Sequence, residues 1–396
     1  MMCQTEKKRI NPNILLFVLA MLFLAAGFRG DFFRQMKTNL ISLGTGLYSG
    51  RVESISSFIG KTDKLTSEAL RYHDSMLDLD SAKENLLGTR VVITEDATVV
   101  KTDSGRLIDP YKDIYMDSVL DAADKIGRIQ TLAEAVGAKF LCCPVPCGGV
   151  YETTPRNMPN YDRAHYNAII EELSIRNIPS LILLEEFTAR ELPEDEVFFR
   201  TDHHWKPATG FQVNRLICNE LSARYGFQTE KEALDSANFK TDTYPNWFLG
   251  SYGKKVGRFF TWQGAEEFEV ITPMVPTDFS ETVRGREAVR TGPFKETVLY
   301  PEYLEKDYYH TKNYCVYSGG DFHLQVIQNR LRPDGAKILV IRDSFACVVT
   351  PFLALQAGEL HVVDERNADH VFGEAVDLES YIKTIRPDYI IIMKDF

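Results

Sequence analysis

The fold is decided by residues 337–346, which read KILVIRDSFA. After its first residue, the run from Lys337 to Ile341 is continuously apolar, as in a parallel strand that is covered on both faces. The apolar spacing then predicts a helix over residues 344–356. We therefore expect Ser344 at the carboxyl end of a buried strand, where the reactive groups of open α/β sheets gather.

Strands and helices alternate on both sides of this stretch. The further predicted strands are 139–145, 181–184, 360–363 and 389–393, and the further predicted helices are 113–136, 161–176, 207–225 and 378–386. This alternation is typical of a doubly wound parallel sheet with helices on both faces. It stops between about residues 227 and 317, where short β runs predict a β-rich insertion. The sequence thus predicts an α/β domain over residues 85–396 that carries this insertion.

The first thirty residues differ from the rest of the chain. Three basic residues at 7–9 precede an uninterrupted apolar run at 14–28, the order found in secretory signals and N-terminal membrane anchors. Residues 31–84 follow as a polar stalk or helical linker. Either membrane reading places the remaining chain outside the cytoplasm, as a single-pass membrane protein or, if the signal is cleaved, as a secreted one. A buried core helix is the alternative.

The charge balance excludes one class of partner. The 396 residues include 45 Lys and Arg against 56 Asp and Glu, for a net charge of −11. Loss of residues 1–28, which hold three basic and one acidic side chain, leaves −13. An acidic body argues against nucleic-acid binding, because nothing would neutralise the phosphates.

Six cysteines follow the N-terminal segment, and their pairing cannot be deduced from the sequence. Cys142, Cys143 and Cys147 are close together, but neighbouring residues of a strand point to opposite faces. A zinc site is therefore disfavoured, and buried apolar roles are favoured.

Residues 199–205 read FRTDHHW and lie directly before a predicted helix. In an extended segment, Asp202 and His204 share a face while His203 points away. A carboxylate beside an imidazole can fix its tautomer and stabilise the imidazolium, which is the supporting half of a nucleophile-activating triad. Two alternatives stay open. Asp202 could cap the following helix, or Asp202 and the two histidines could bind a metal.

Ser344 is the candidate nucleophile. At a strand end its hydroxyl lies on the rim of the sheet, and the neighbouring backbone N–H groups could stabilise an oxyanion. The alternative is that Asp343 or Ser344 only caps the following helix. The G-x-S-x-G motif of ordinary α/β-hydrolases is absent here.

Taken together, these segments resemble the DHHW family, which is related to the SGNH hydrolase-like alginate O-acetyltransferases. The resemblance rests on TDHHW at residues 201–205, on DSF at 343–345 after an apolar strand, and on FLGSYG at 248–253. It covers residues 85–396 and implies an SGNH hydrolase-like fold that needs no cofactor. It also implies that Ser344 is the nucleophile, His204 the general base and Asp202 the orienting acid.

Further residues are candidates for an oxyanion hole or a substrate contact. Glycines allow a backbone N–H to approach a bound carbonyl closely, and aromatic faces can stack on sugar rings. Ordinary turns and core aromatic residues are the alternatives. In addition, an arginine stands where many SGNH nucleophile motifs carry glycine. The candidates are Gly319, Gly320, Gly250, Ser251, Tyr252, Arg342 and Trp205.

We therefore expect an extracytoplasmic O-acyltransferase that transfers an acyl group, first of all acetyl, to a polysaccharide or cell-wall glycan. The resemblance implies a membrane-bound O-acyltransferase as the partner that supplies the acetyl group. A carbohydrate acetyl esterase with the same triad is one alternative. A non-catalytic glycan-binding or scaffold protein of exopolysaccharide assembly is another.

Overall fold

The computed structural model describes residues 31–48, 61, 72–155, 158–366, 368 and 370–396. The chain divides into two compact units, Met1–Asp80 and Ser81–Phe396. The predicted anchor or signal peptide lies outside the described residues. Within the described ranges, no helix has both the length and the apolar character that crossing a membrane requires.

The described chain contains twelve strands and eleven α-helices. The strands are β1 (Val91–Ile93), β2 (Thr98–Lys101), β3 (Leu107–Ile108), β4 (Lys139–Pro144), β5 (Phe239–Phe248), β6 (Glu266–Pro273), β7 (Phe279–Val283), β8 (Arg290–Gly292), β9 (Gln325–Asn329), β10 (Lys337–Arg342), β11 (Glu359–Asp364) and β12 (Tyr389–Lys394). The helices are α1 (Phe32–Tyr48), α2 (His73–Leu86), α3 (Met116–Val136), α4 (Asp162–Ile175), α5 (Leu183–Ala189), α6 (Glu194–Val197), α7 (Pro207–Tyr225), α8 (Ser251–Val256), α9 (Phe294–Thr297), α10 (Thr350–Ala354) and α11 (Leu378–Ile385).

The central sheet has seven strands in the order β4-β12-β10-β11-β9-β7-β8. The first four are parallel, but β9, β7 and β8 pair antiparallel. The predicted parallel sheet is therefore corrected to a mixed sheet. The reason lies in the side chains, because β7 and β9 alternate between buried and more accessible residues, as strands of antiparallel sheets commonly do.

Alternate residues of β10 belong to two different hydrophobic cores. Ile338 and Val340 pack in the core that includes α7, whereas Leu339 and Ile341 pack in the core that includes α3 and α4. Helices consequently cover both faces of the sheet. This arrangement places the carboxyl end of β10 at an open rim between the two layers.

Two local predictions are wrong. Residues 181–184 do not form a strand: Cys142 makes only an isolated bridge to Ser180, and α5 begins at Leu183. A run of four apolar residues cannot distinguish a short strand from a buried helix. The single helix predicted over residues 344–356 is instead a 3₁₀ turn, Ser344–Val348, followed by α10.

Residues 227–317 hold two kinds of β structure. β5 and β6 form a separate two-stranded antiparallel sheet, while β7 and β8 extend the central sheet. A further small sheet, β1-β2-β3, precedes α3. Six cysteines among the described residues have free thiols, and those at 142, 143, 218 and 347 are buried.

Candidate active site

Ser344 follows β10 by two residues and begins the 3₁₀ turn. Asp343 fixes this turn, because its carboxylate accepts the backbone N–H of Phe345 at 2.9 Å and that of Asp395 at 2.7 Å. The capping role considered for Asp343 is thus confirmed. Ser344 itself stays partly exposed, so its hydroxyl is left for another partner.

That partner is His204, which lies 140 residues earlier in the chain. His204 Nε2 is 2.8 Å from Ser344 Oγ, and His204 Nδ1 is 2.6 Å from Asp202 Oδ1. Asp202 and His204 are both buried. The structure therefore brings the three predicted catalytic side chains into one hydrogen-bonded relay.

Asp202 is held by a tight turn rather than by an extended strand. Its Oδ1 also accepts the backbone N–H of His204 at 2.9 Å, and its Oδ2 accepts that of Ser251 at 2.6 Å. Burial alone would raise the pKa of this carboxyl, but the charge of His204 and the hydrogen bonds from its ring and backbone hold it well below its usual range. The helix-capping alternative is wrong, since the N-cap of α7 is Lys206, without a side-chain hydrogen bond.

Gly250 lies in van der Waals contact with this turn. A Cβ at this position would lie 2.3 Å from Asp202 Cβ and 2.5 Å from the carbonyl oxygen of Thr201. The backbone N–H of Gly250 donates to Thr201 Oγ1 at 2.9 Å. Residues 250–251 thus support Asp202, and their N–H groups are not available to an oxyanion.

We expect Gly250→Ala to lower acyl-transfer activity by roughly 10- to 100-fold, because the added methyl displaces Asp202 from His204. The same overpacking should lower the free energy of unfolding by about 1–3 kcal/mol. Gly127→Ala is the matched control, since nothing lies within 4 Å of a Cβ added there. Equal activity of the two variants would show that Asp202 tolerates displacement.

Glu266 was not predicted from the sequence. Its carboxylate accepts the backbone N–H groups of Arg200 and Thr201, both at 2.7 Å, and the hydroxyl of Thr201 at 2.7 Å. Glu266 is buried on β6, far away in sequence. It anchors the start of the turn that presents Asp202, and no local sequence signal announces this role.

Tyr314 was also missed. Its ring stacks on the imidazole of His204 with a centroid distance of 4.1 Å and an angle of 19°. On the other side, the ring centroid of His203 lies 3.7 Å from that of His204. The two rings restrict the orientation in which His204 can face Ser344.

Two substrate-contact candidates prove to be structural. Trp205 is fully buried and donates its indole N–H to the carbonyl of Phe345 at 2.9 Å. Arg342 is also fully buried, pairs with Asp321 and donates to the carbonyl of Gly320 at 2.8 Å. Both predictions of a substrate contact are therefore corrected, because neither side chain reaches the surface.

Gly319 and Gly320 form a buried turn with φ values of +70° and +109°. The N–H of Gly319 donates to the carbonyl of Cys315 at 3.1 Å, and a Cβ there would lie 2.5 Å from the Tyr300 ring. The ordinary turn considered as the alternative is what the structure contains. The oxyanion role predicted for this pair is corrected accordingly.

Beside the relay lies a cleft with a volume of about 360 Å³, within the range of small-molecule sites. Asp202 and His203 line one end, and Tyr252 lines it as predicted for a substrate contact. Its remaining wall includes Gly148 and Gly149, at the 3₁₀ turn after β4. Of the relay residues, Asp202 lines this cleft, and His203 separates the cleft from the ring of His204 by one ring contact.

One group of side chains in the described part of the chain has metal-ligand potential. Ligand atoms of Asp202, His203 and His204 lie within 4.8 Å of one another. Both carboxylate oxygens of Asp202 already accept hydrogen bonds, and His204 Nε2 faces Ser344. The arrangement therefore fits proton transfer better than metal coordination.

Comparisons with known proteins show which family and which folds the chain resembles. Residues 120–250 match the family model of the SGNH hydrolase-like domain of the acetyltransferase AlgX. No curated protein gives a significant match.

Three solved structures share the fold. PatB1 from Bacillus cereus aligns with a TM-score of 0.60 and 18% identity, over 75% of this chain and 95% of PatB1. The same protein with a sulfonyl adduct gives 0.59 and 17%, over 77% and 95%. A DHHW family protein from Eubacterium siraeum gives 0.56 and 17%, over 77% and 92%. The predicted family resemblance is confirmed, and the α/β fold is SGNH hydrolase-like.

Proposed function

We propose that this SGNH hydrolase-like protein is an O-acyltransferase that carries an acetyl group on Ser344 and delivers it to a hydroxyl of an extracytoplasmic glycan. The observation that carries the proposal is the unbroken hydrogen-bonded relay from Asp202 through His204 to Ser344. A serine in such a relay forms covalent acyl intermediates. The family match to an acetyltransferase domain supports acetyl as the group transferred.

In the first half-reaction, Ser344 Oγ attacks the acyl carbonyl while His204 Nε2 takes the hydroxyl proton. Asp202 holds the imidazole in the tautomer with a proton on Nδ1 and stabilises the imidazolium that forms. When the tetrahedral intermediate collapses, His204 returns the proton to the leaving group of the donor. The acyl group then remains on Ser344 as an ester.

The second half-reaction repeats these steps with a glycan hydroxyl. His204 Nε2 takes the proton of this hydroxyl, whose oxygen attacks the acyl carbonyl. Collapse transfers the acyl group to the glycan and returns the proton to Ser344 Oγ. The backbone N–H of Ser344, for which no described residue is an acceptor, is our candidate oxyanion donor.

The location and the partners belong to the same proposal. The basic and apolar order of residues 1–30 supports export with a single membrane anchor, or secretion if the segment is cleaved. Acetyl donors are made inside the cell, so an exported enzyme needs a membrane-bound O-acyltransferase to supply the group. The acceptor would be a polysaccharide or cell-wall glycan on the outer side.

The test is to incubate the full chain with p-nitrophenyl acetate, to quench it rapidly in acid, and to measure the mass of the intact chain and of its proteolytic peptides. We expect an increase of about 42 Da, the mass of one acetyl group, on the peptide that contains Ser344. Ser344→Ala should abolish this adduct. Ser236→Ala, which removes an exposed serine far from the relay in sequence, is the control and should keep it. An adduct that persists in Ser344→Ala would refute the assignment.

The same acyl-enzyme separates a transferase from the esterase alternative. Added oligosaccharide should raise the rate of deacylation and appear as acetylated sugar, because a transferase pocket favours the hydroxyl over water. Release of free acetate alone, at a rate independent of oligosaccharide, would identify an esterase.

A further inference from the structure

His203 has a chemical environment that closely parallels that of His204. Its Nδ1 lies 3.0 Å from Ser251 Oγ and 3.3 Å from Asp202 Oδ1, the same oxygen that accepts His204 Nδ1. A carboxylate can only accept hydrogen bonds, so it favours the tautomer of His203 that carries its proton on Nδ1. In the neutral ring, Nε2 is then an acceptor, as it is in His204.

The Nε2 atom of His203 is left for a ligand. It makes no hydrogen bond to any described residue, and it is not buried, so solvent can reach it. About a third of the side chain is exposed, and it lines the cleft of about 360 Å³. Its acceptor nitrogen is therefore accessible from the cleft beside the relay.

The surroundings of His203 keep its imidazole uncharged. Enclosure by the protein, together with the charge that His204 acquires, lowers the pKa of His203, although Asp202 opposes the shift. A neutral His203 cannot replace His204 as the charged partner of Asp202. It can, however, accept a hydrogen bond from a hydroxyl group.

The cleft itself favours an uncharged ligand. Its two cations are already paired, since Arg106 contacts Glu152 at 3.1 Å and Lys255 contacts Asp96 at 2.8 Å. The remaining ionisable residues that line it include four aspartates, at positions 109, 162, 202 and 395. Burial raises the pKa of Asp162 to about 6 and that of Asp395 well above its usual range. An anionic sugar would meet the carboxylate of Asp202 without a free cation to offset it.

Resting on the proposed function, we infer that the acceptor carries two neighbouring hydroxyls and that His203 and His204 each accept a hydrogen bond from one of them. The imidazole rings lie face to face with a tilt of 37°, and their centroids are 3.7 Å apart. The oxygens of a vicinal diol are separated by about the length of a hydrogen bond, roughly 3 Å, which is close to the spacing of the two rings. His204 deprotonates one hydroxyl, and His203 positions the sugar through the other. The substrate class is thus a neutral glycan with a free vicinal diol.

The test is a competition for one acyl-enzyme. The full chain is acetylated with p-nitrophenyl acetate in the presence of equal concentrations of cis-1,2-cyclohexanediol and cyclohexanol, and the two acetate esters are quantified. Because both alcohols compete for the same intermediate, the product ratio does not depend on the acylation rate or on the folded fraction. We expect wild type to favour the diol by roughly 3- to 10-fold per hydroxyl, the factor that one hydrogen bond contributes.

Two variants decide the role of His203. His203→Phe keeps an aromatic ring beside His204 but removes the acceptor, so the ratio should fall to about one. His203→Gln offers a carbonyl oxygen as acceptor and should restore part of the preference. A wild-type ratio near one, a preference that survives in His203→Phe, or no restoration in His203→Gln would overturn the inference while leaving acyl-Ser344 intact. Failure of wild type to form acyl-Ser344 would overturn the proposed function and this inference together.

Discussion

Replacing His204 with glutamine is expected to lower the rate of acyl-Ser344 formation by roughly 10⁴- to 10⁶-fold. Glutamine is similar in size and polarity, but it cannot take the proton from Ser344 Oγ, which lies 2.8 Å from the imidazole. Without a base, the serine hydroxyl is a weak nucleophile. Single-turnover acylation with p-nitrophenyl acetate measures the effect directly.

A second variant shows whether the relay acts as a unit. Asp202→Asn should lower the same rate by roughly 10⁴-fold, because the amide favours the wrong imidazole tautomer. The double variant should be little worse than His204→Gln alone, since Asp202 acts only through the imidazole. His310→Gln, an exposed histidine that also contacts a carboxylate, Asp307, is the control. Multiplicative losses in the double variant would contradict a single relay.

The sequence predicts the strand framework well, because long apolar runs dominate local structure. The run from Lys337 to Ile341 is confirmed as β10, and the helix over residues 207–225 has the predicted ends. The antiparallel half of the sheet was not predicted. Strands β7 and β9 are short and half polar, and their pairing is decided by contacts distant in sequence.

In the candidate site, too, local contacts were predicted and contacts between distant segments were not. Asp202 and His204 are two residues apart, so local spacing predicted that they could interact. Their approach to Ser344 depends on the whole sheet, and only the family resemblance anticipated it. Glu266 and Tyr314 support these residues from distant segments, without any local motif. Such supporting residues become visible only when the chain is folded.

Burial explains why the substrate-contact role predicted for two residues is wrong. Trp205 and Arg342 flank the predicted catalytic residues in sequence and carry groups that often bind sugars or anions. Both side chains are nevertheless fully buried, and both donate hydrogen bonds to backbone carbonyls. Proximity in sequence to a reactive residue says little about which side of the backbone a side chain occupies. Arg342 in particular ties the end of β10 to residues 320 and 321.

Arg342→Met is expected to lower the free energy of unfolding by about 3–5 kcal/mol. The guanidinium pairs with Asp321 and lies 3.9 Å from Asp364, which is also fully buried. Arg366 contacts both carboxylates, at 3.1 Å and 2.6 Å, but it is partly exposed. Removal of Arg342 therefore leaves two enclosed carboxylates with one peripheral cation. Equilibrium denaturation in urea, followed by fluorescence, measures the loss.

Arg330→Met is the matched control, because Arg330 pairs with Asp278 at 2.7 Å on the surface, where such pairs contribute at most about 1 kcal/mol. Arg342→Lys keeps the charge but cannot donate to Asp321 and the carbonyl of Gly320 with the same fork, so an intermediate loss is expected. Equal stability of Arg342→Met and Arg330→Met would contradict the supporting role. A large, specific loss would show that the arginine fastens the buried turn at residues 318–321 to the strand that leads to Ser344.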